Sequence, residues 1–440
     1  MNFNKYLIRL IILFLIAGLA GTAAIVHAQE RVLGLEECIE IALKNNKQLL
    51  LFQEKTNQAK VRKSEAAGSY WPNLSALGAY IYNHEINKVN FMGNEIALGA
   101  KESYLGKLSL TQPLFMGGKV YQSNRQAEIG MRLARWDYLK QRDDLLYQVK
   151  QNFYTVLLAQ QMVRINQEAY EVVAAHLKVS QALYNEGKMS NYDVSRVKVQ
   201  LANQKTNLIK ARNNLIINVN ALINILGVEP ALKTEFTGQL DYVEKPVQDY
   251  ETGLSQALGK RIELRQALLQ EEAANSLVSL ARSGHWPNLL LNSVFSRQNS
   301  SGLSADQVWT NSWTTTVSLT IPLFEGFTTK ARIAQAESQK EQILLTKDQL
   351  IDNIKIEVKQ AYFTLDQAKD NIAGQSENVD TAKDNLRIAQ QRYKLGLMSD
   401  IEVRDAELTL TQAETNYYQA AYEYIMAQAK VEKVIGETLE

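Results

Sequence analysis

Cysteine occurs once in this chain, at position 38, so no internal disulfide can form. The four histidines, at 27, 84, 176 and 285, are scattered, and no HExxH, CxxC or phosphate-cradling glycine loop is present. Neither sign of charge is in excess, with 48 basic residues against 47 acidic, so no electrostatic footprint for nucleic acid exists. Beyond the first twenty residues there is no apolar run of the roughly 18 that a membrane-spanning helix needs. If the chain crosses a membrane, it does not cross with helices. Proline is scarce too, at 72, 113, 230, 246, 287 and 322 only. Together these absences argue against an enzyme, a nucleic-acid binder and a helical membrane protein.

Residues 1–28 read as a secretory signal peptide. Lys5 and Arg9 give a positive start, LIILFLIAGLA (10–20) an apolar stretch, and Val26-His27-Ala28 a small-residue cleavage site before Gln29. Removing Lys5 and Arg9 leaves the mature chain nearly neutral. Cys38 could be an acylated lipoprotein cysteine, but GLEEC lacks the small apolar residues such a site needs. Leu35, Cys38, Ile39, Ala42 and Leu43 recur at helical spacing, which makes Cys38 a small core residue, while Glu36-Glu37 suit a helix N-terminus.

What the sequence does contain, it contains twice. SYWPNL (69–74) returns as GHWPNL (284–289), and LEECIEIALKNNKQL (35–49) loosely as YETGLSQALGKRIEL (250–264), at an offset of 215. LTQPLFMGGK (110–119) returns as LTIPLFEGFT (319–328), and ALYNEGKMSNYDV (182–194) as QRYKLGLMSDIEV (391–403), at an offset of 209. LINILG (222–227) is echoed by KVEKVIG, ending at Gly436. A hairpin loop six residues shorter in the second half accounts for the change of offset. The chain therefore divides into a first repeat at 29–227, a linker at 228–250 and a second repeat at 251–440.

Each repeat reads as helix, hairpin, very long helix, tight turn, helix. Between Gly118 and Tyr184 no proline occurs, and Leu146, Val149, Phe153 and Val156, then Val163 and Tyr170, step as in a coiled-coil seam. Helices over about 35–69 and 190–226 would together match that one long helix if stacked end to end. Strands are expected at about 74–83, 103–113, 289–298 and 311–322. In WTTTVSLTIP, Trp313, Thr315, Val317, Leu319 and Ile321 share one face, and Thr314, Thr316, Ser318 and Thr320 the other. In a membrane that alternation reads as lipid-out, lumen-in. Four strands cannot close a barrel, and open edges are costly in hydrocarbon, so several chains must share one; three would give about twelve strands. Pro113 and Pro322 are expected to end ladder pairing, with Gly117 and Gly326 swinging the chain from strand into helix. Trp71-Pro72 and Trp286-Pro287 mark the opposite crossing, at a depth suited to a membrane interface.

With these landmarks the chain resembles the TolC family of outer-membrane efflux and secretion channels over about residues 33–437. The resemblance implies a mainly α fold with a small β part: a homotrimer with a shared twelve-strand transmembrane β-barrel on a long periplasmic α-helical barrel, belted near its middle by the 228–250 region. It implies the outer membrane of a Gram-negative bacterium, with a periplasmic extension. It further implies a passive exit duct without cofactor, joined to a periplasmic adaptor protein and an inner-membrane transporter of RND, ABC or MFS type. In that family the helix–turn–helix tips are the surface adaptors grip, which places the role on Tyr184, Gly187, Met189, Ser190 and Asp193 (tip 185–192). The matching residues of the second tip (394–401) are Tyr393, Gly396, Met398, Ser399 and Glu402. The bare residues read simply as glycine helix stops followed by serine N-caps.

The resemblance also makes Glu402 and Asp405 a carboxylate ring at the tunnel mouth, with Tyr393 as a partner. Their i, i+3 spacing puts both on one helix face; Asp400 and Arg404 nearby give the plainer reading of a solvated face. Members of the family often carry arginine where Met398 stands, so the network that closes the mouth must differ here. One methionine per tip, Met189 and Met398, does not make a metal site. A periplasmic coiled-coil protein without a channel is the alternative, but it leaves the Trp-Pro pairs and Thr-lined strands unexplained.

Overall fold

The structure is a computed structural model describing residues 31–91, 94–98, 101–229, 234–240, 246, 248–301, 307–395 and 397–437. The expected signal peptide, Pro230 and Gly396 lie outside them. The first half runs β1 (Arg31–Leu33), α1 (Leu35–Asn45), α2 (Lys47–Gly68), β2 (Asn73–Tyr82), β3 (Asn87–Phe91), β4 (Asn94–Leu98), β5 (Glu102–Met116), α3 (Lys119–Asn185) and α4 (Asn191–Leu226). The second runs β6 (Thr234–Phe236), α5 (Tyr250–Lys260), α6 (Ile262–Arg282), β7 (Asn288–Ser301), β8 (Gln307–Thr320), α7 (Thr328–Lys394) and α8 (Asp400–Val434). At 67 residues each, α3 and α7 extend about 100 Å. As the repeat pattern requires, α3 is flanked by α2 above and α4 below, and α7 by α6 and α8. α6 and α8 also pack on α3, which joins the halves.

The main hydrophobic core lies where these shorter helices meet, midway along the long ones. Leu145, Val149, Phe153 and Val156 of α3 enter it beside Ile354, Val358 and Leu365 of α7, their counterparts 209 residues on. Leu222 and Leu226 of α4 and Tyr424 and Val431 of α8 complete it, with Cys38 and Ala42 beneath. Burial, with Glu37 adding to it, pushes the Cys38 thiol up to about 12. It is an inert core thiol, as its spacing indicated. Glu37 instead accepts a 2.7 Å hydrogen bond from the Gly34 N–H, capping α1. Ion pairs stitch the same level: Glu357 takes Arg261 and Lys430, each at 2.6 Å, and Lys433 of α8 meets Asp144 of α3 at 2.7 Å. Burial would raise the Glu357 carboxyl, but the hydrogen bonds and charge of Lys430 and Arg261 outweigh it and hold it low.

The single helices expected near 35–69 and after 250 are each broken, at Asn46 and Arg261. Both residues are extended, and both break against the glycine that ends their own half. Gly227, left-handed at φ +69, sits on Asn45; a Cβ there would lie 2.4 Å from the Asn45 carbonyl oxygen. Gly436, at φ +75, meets Lys260 and Arg261 in the same way, with its nearest contact at 3.1 Å. Asn46 secures the first break twice, accepting from the Leu49 N–H and donating to the Ile225 carbonyl.

The strands β2-β5-β7-β8 form one antiparallel sheet in that order. Two features add to the four expected strands: a β3–β4 hairpin within the connection from β2 to β5, and a short parallel β1–β6 pair at the belt, where Leu33 and Phe236 join the core. Pro322 lies beyond the end of β8, as expected. Pro113 does not end its ladder. Pairing of β5 with β2 ends at Thr111, opposite Asn73, but β5 stays paired with β7 as far as Met116, with a register shift between Pro113 and Phe115. A proline supplies no ladder N–H, and a bulge absorbs the loss. Gly117 and Gly326 both turn left-handed at φ +60 before the long helices, as expected of them. Gly117 is also packed tightly, since a Cβ would lie 2.6 Å from the Trp286 Cβ. The strand-to-helix crossing of one half therefore rests on the helix-to-strand crossing of the other. Trp71 and Trp286 stay exposed beside Pro72 and Pro287.

Gly227→Ala should lower the thermal midpoint well below that of Gly118→Ala. Both lose a left-handed glycine, at about 1–2 kcal/mol, but only at Gly227 does the new methyl strike backbone. Melting followed by far-ultraviolet circular dichroism compares the two; equal losses would mean the junction has room to shift.

Candidate functional site at the helical tips

At the first tip, α3 closes on Gly187 (φ +75), whose N–H donates to the Tyr184 carbonyl at 2.9 Å while Lys188 N–H reaches Leu183. Ser190 then starts α4: its hydroxyl accepts from the Asp193 N–H at 3.2 Å and donates to the Asp193 carboxylate at 2.6 Å. Met189 is half-buried, and Tyr184 is exposed. At the second tip, Leu395 and Leu397 N–H groups both reach the Arg392 carbonyl. Ser399 begins α8, and its N–H and hydroxyl both donate to Glu402 Oε2 at 2.7 Å. Both tips are thus built from a left-handed or tight stop followed by a serine cap.

That second cap bears on the expected carboxylate ring. Glu402 is folded back on Ser399, whose side-chain and backbone hydrogen bonds hold its carboxyl below the usual glutamate range. Asp405, one turn on, is exposed with no such tie, on a face continued by Thr409, Gln412, Asn416, Gln419 and Glu423. Tyr393 is exposed at the end of α7 and makes no hydrogen bond to Glu402 or Asp405 among the described residues. Met398 is half-buried between the two helices.

Asp400 and Arg404, expected on a solvated face, instead join His176 in a largely covered cluster just above the tips. Asp400, the first residue of α8, pairs with His176 Nε2 of α3 and lies 3.1 Å from Arg404 Nε, beside rather than along its N–H. Arg404 in turn donates from Nη1 to Gln200 of α4 at 3.2 Å. His176 Nδ1 is buried without a hydrogen bond, so the ring meets Asp400 through Nε2–H. Glu407, one turn further, is raised by burial and then by Asp400, with Arg404 opposing. Three helices from both halves are fastened here. Below the main core a small apolar cluster of Val379, Ala382 and Ala413 packs within the second hairpin, while this polar link ties α8 of that hairpin to α3 and α4 of the first. The signal was present in the sequence as His176, spaced three from Val173 and four from Ser180 in the seam, where an apolar residue belongs.

With this geometry in view, the comparisons with known proteins place the chain. A family model described as "Outer membrane efflux protein" matches residues 38–228 and again 253–437, one match to each half. The chain belongs to the outer membrane efflux protein family. It is 21% identical over 437 residues to the outer membrane protein TolC of Vibrio cholerae, covering 98% of this chain and 96% of that one. It is 23% identical over 378 residues to the cation efflux system protein CusC of Escherichia coli K12, covering 84% and 79%. Among solved structures, the Campylobacter jejuni CmeC outer membrane channel superposes with a TM-score of 0.79 at 18% identity, covering 92% of this chain and 86% of that one. The protein is an outer-membrane efflux channel of a Gram-negative bacterium, as its repeated landmarks indicated; a coiled-coil protein without a channel is not favoured. These relatives are transport channels, not enzymes.

Two outcomes test the tips. Asp400→Asn should loosen the link to His176 and Arg404, at about 1–3 kcal/mol, so amides near 174–200 and 400–407 exchange faster; unchanged protection would show the pair to be dispensable. Glu402 has a depressed folded pKa, so its cap stabilises α8 above the ordinary glutamate range and is lost as pH falls through the folded value. Glu402→Ala should therefore speed exchange of the Ser399–Val403 amides at pH 7, and the difference from wild type should vanish in acid.

Proposed function

We propose that three copies of this chain form a passive exit duct whose four-stranded sheets close into one twelve-strand barrel. The supporting observation is the sheet itself. Its edges, β2 and β8, have no partner strand in the described residues, and they run in opposite directions. The next copy's β2 against β8 would therefore continue the antiparallel alternation without interruption. Leu74, Leu108, Phe295, Trp313, Val317 and Leu319 share one exposed face, where a soluble sheet would need a cover. The opposite face carries rows such as Asn73, Thr111, Asn292 and Thr316. That is the lipid-out, lumen-in pattern of an outer-membrane barrel, with the helices continuing as a periplasmic tunnel.

The two repeats, linked across 228–250, give each chain two tips. We infer that Gly187, Met189, Ser190, Asp193, Met398 and Ser399 form the surface for a periplasmic adaptor coupled to an inner-membrane transporter. Gly396, expected in the same surface, lies outside the described residues. At the mouth the carboxylate face falls to Asp405 more than to Glu402, because Glu402 is already committed to its cap.

In mild detergent the outer-membrane fraction should give a heat-sensitive trimer by light scattering; a stable monomer would end the shared-barrel reading. In planar bilayers Asp405→Asn should move the reversal potential toward zero further than Glu402→Gln. The reverse order would assign the filter to Glu402.

A further inference from the structure

The strand register brings an arginine onto the hydrocarbon-facing side of the sheet. Gly78, Gly106, Arg297 and Asn311 stand opposite one another across β2, β5, β7 and β8. The next row outward on the same face is Tyr80, Tyr104, the buried Asn299 and Trp309, and the next row inward Ala76, Leu108, Phe295 and Trp313. Arg297 is exposed, with its guanidinium 5.0 Å from the Trp309 ring. Among the described residues it has neither a carboxylate partner nor a side-chain hydrogen bond.

Its depth can be read from the chain. Arg297 lies eleven residues along from Trp286. At about 3.3 Å per residue and a tilt of about 40°, that is roughly 28 Å of height, close to the apolar band of such barrels. The arginine thus stands at the outer edge of the band, where lipid headgroups begin. The two glycines beside it leave the surface open: a Cβ at Gly78 would meet nothing within 4 Å, and one at Gly106 only the Arg297 carbonyl oxygen at 3.8 Å. Aromatic rings bound the notch above and below, as rings do at a membrane interface.

We propose that this notch binds the phosphate of an anionic lipid in the outer leaflet. The planar guanidinium presents a fork of N–H donors that matches phosphate oxygens, and Trp309 holds it by its face while leaving its edge free. The acyl chains would run down over Phe295 and Trp313, and Gly78 and Gly106 would admit the headgroup to the barrel wall. The assignment rests on the barrel reading, because only a membrane-embedded sheet puts this face against lipid.

The test uses full-length trimer stripped of lipid in mild detergent and titrated with bisphosphorylated lipid A. The temperature at which the oligomer dissociates is then read for wild type, Arg297→Gln and Arg297→Lys. Wild type should gain about 3–5 °C, Arg297→Gln should gain nothing, and Arg297→Lys should keep part of the gain. Inorganic phosphate at equal concentration should leave all three unchanged. An equal gain in wild type and Arg297→Gln, no gain in either, or a gain from inorganic phosphate alone would overturn the lipid site while leaving the barrel intact. Wild type that never forms a trimer would overturn the barrel, and this site with it.

Discussion

The contact on which the architecture depends is the one between a glycine and a broken helix, made once in each half. An unbroken helix from 35 to 68 would run past the end of α4 and leave no place for the chain to continue beside α3. Breaking it at Asn46, and docking Gly227 on the break, lets α2 and α4 share one long neighbour end to end. Gly436 and Arg261 repeat the solution. The main core gathers around these two junctions, and so do the Arg261–Glu357–Lys430 and Lys433–Asp144 pairs. Away from this belt the chain becomes thin: sheet at one end, paired helices at the other.

The halves are copies, but they are not interchangeable. Where the first half has Cys38 and Phe153, the second has Gly253 and Tyr362. A Cβ on Gly253 would lie within 2.1 Å of the Tyr362 hydroxyl, so the smaller residue makes room for the larger ring. The first long helix starts after Gly117-Gly118, and the second after Gly326-Phe327, where Phe327 adopts a left-handed φ of +65 that side chains rarely tolerate. The tips diverge as well. Asp193 shares a hydroxyl with Ser190, whereas Glu402 is long enough to take both the hydroxyl and the N–H of Ser399.

Much of this was legible in the residues. Period-two alternation marked β8 most clearly, because it has one polar and one apolar face, and the repeated Trp-Pro pairs marked where β2 and β7 begin. The absence of proline over 118–184 located a 67-residue helix. The tips could be read because glycine stops and serine caps are local chemistry. The helix breaks could not, since Asn46 and Arg261 sit in sequences compatible with helix and are broken by a glycine some 180 residues away. The bulge at Pro113 was hidden for a similar reason: which strand pairs past a proline depends on the neighbour. His176 was visible, but a polar residue in a seam gains meaning only when Asp400 is found opposite.

The internal duplication has a consequence for counting. In the proposed trimer, two-tipped chains would present six tips with approximate sixfold symmetry, although the assembly would have only three true axial repeats. A partner that reads what the tips share, a tight stop and a capping serine, can bind in sixes. One that reads what differs, the Glu402 cap or the His176–Asp400 pair, must bind in threes. The degree of divergence between two copies within one chain therefore sets the stoichiometry of whatever docks on them.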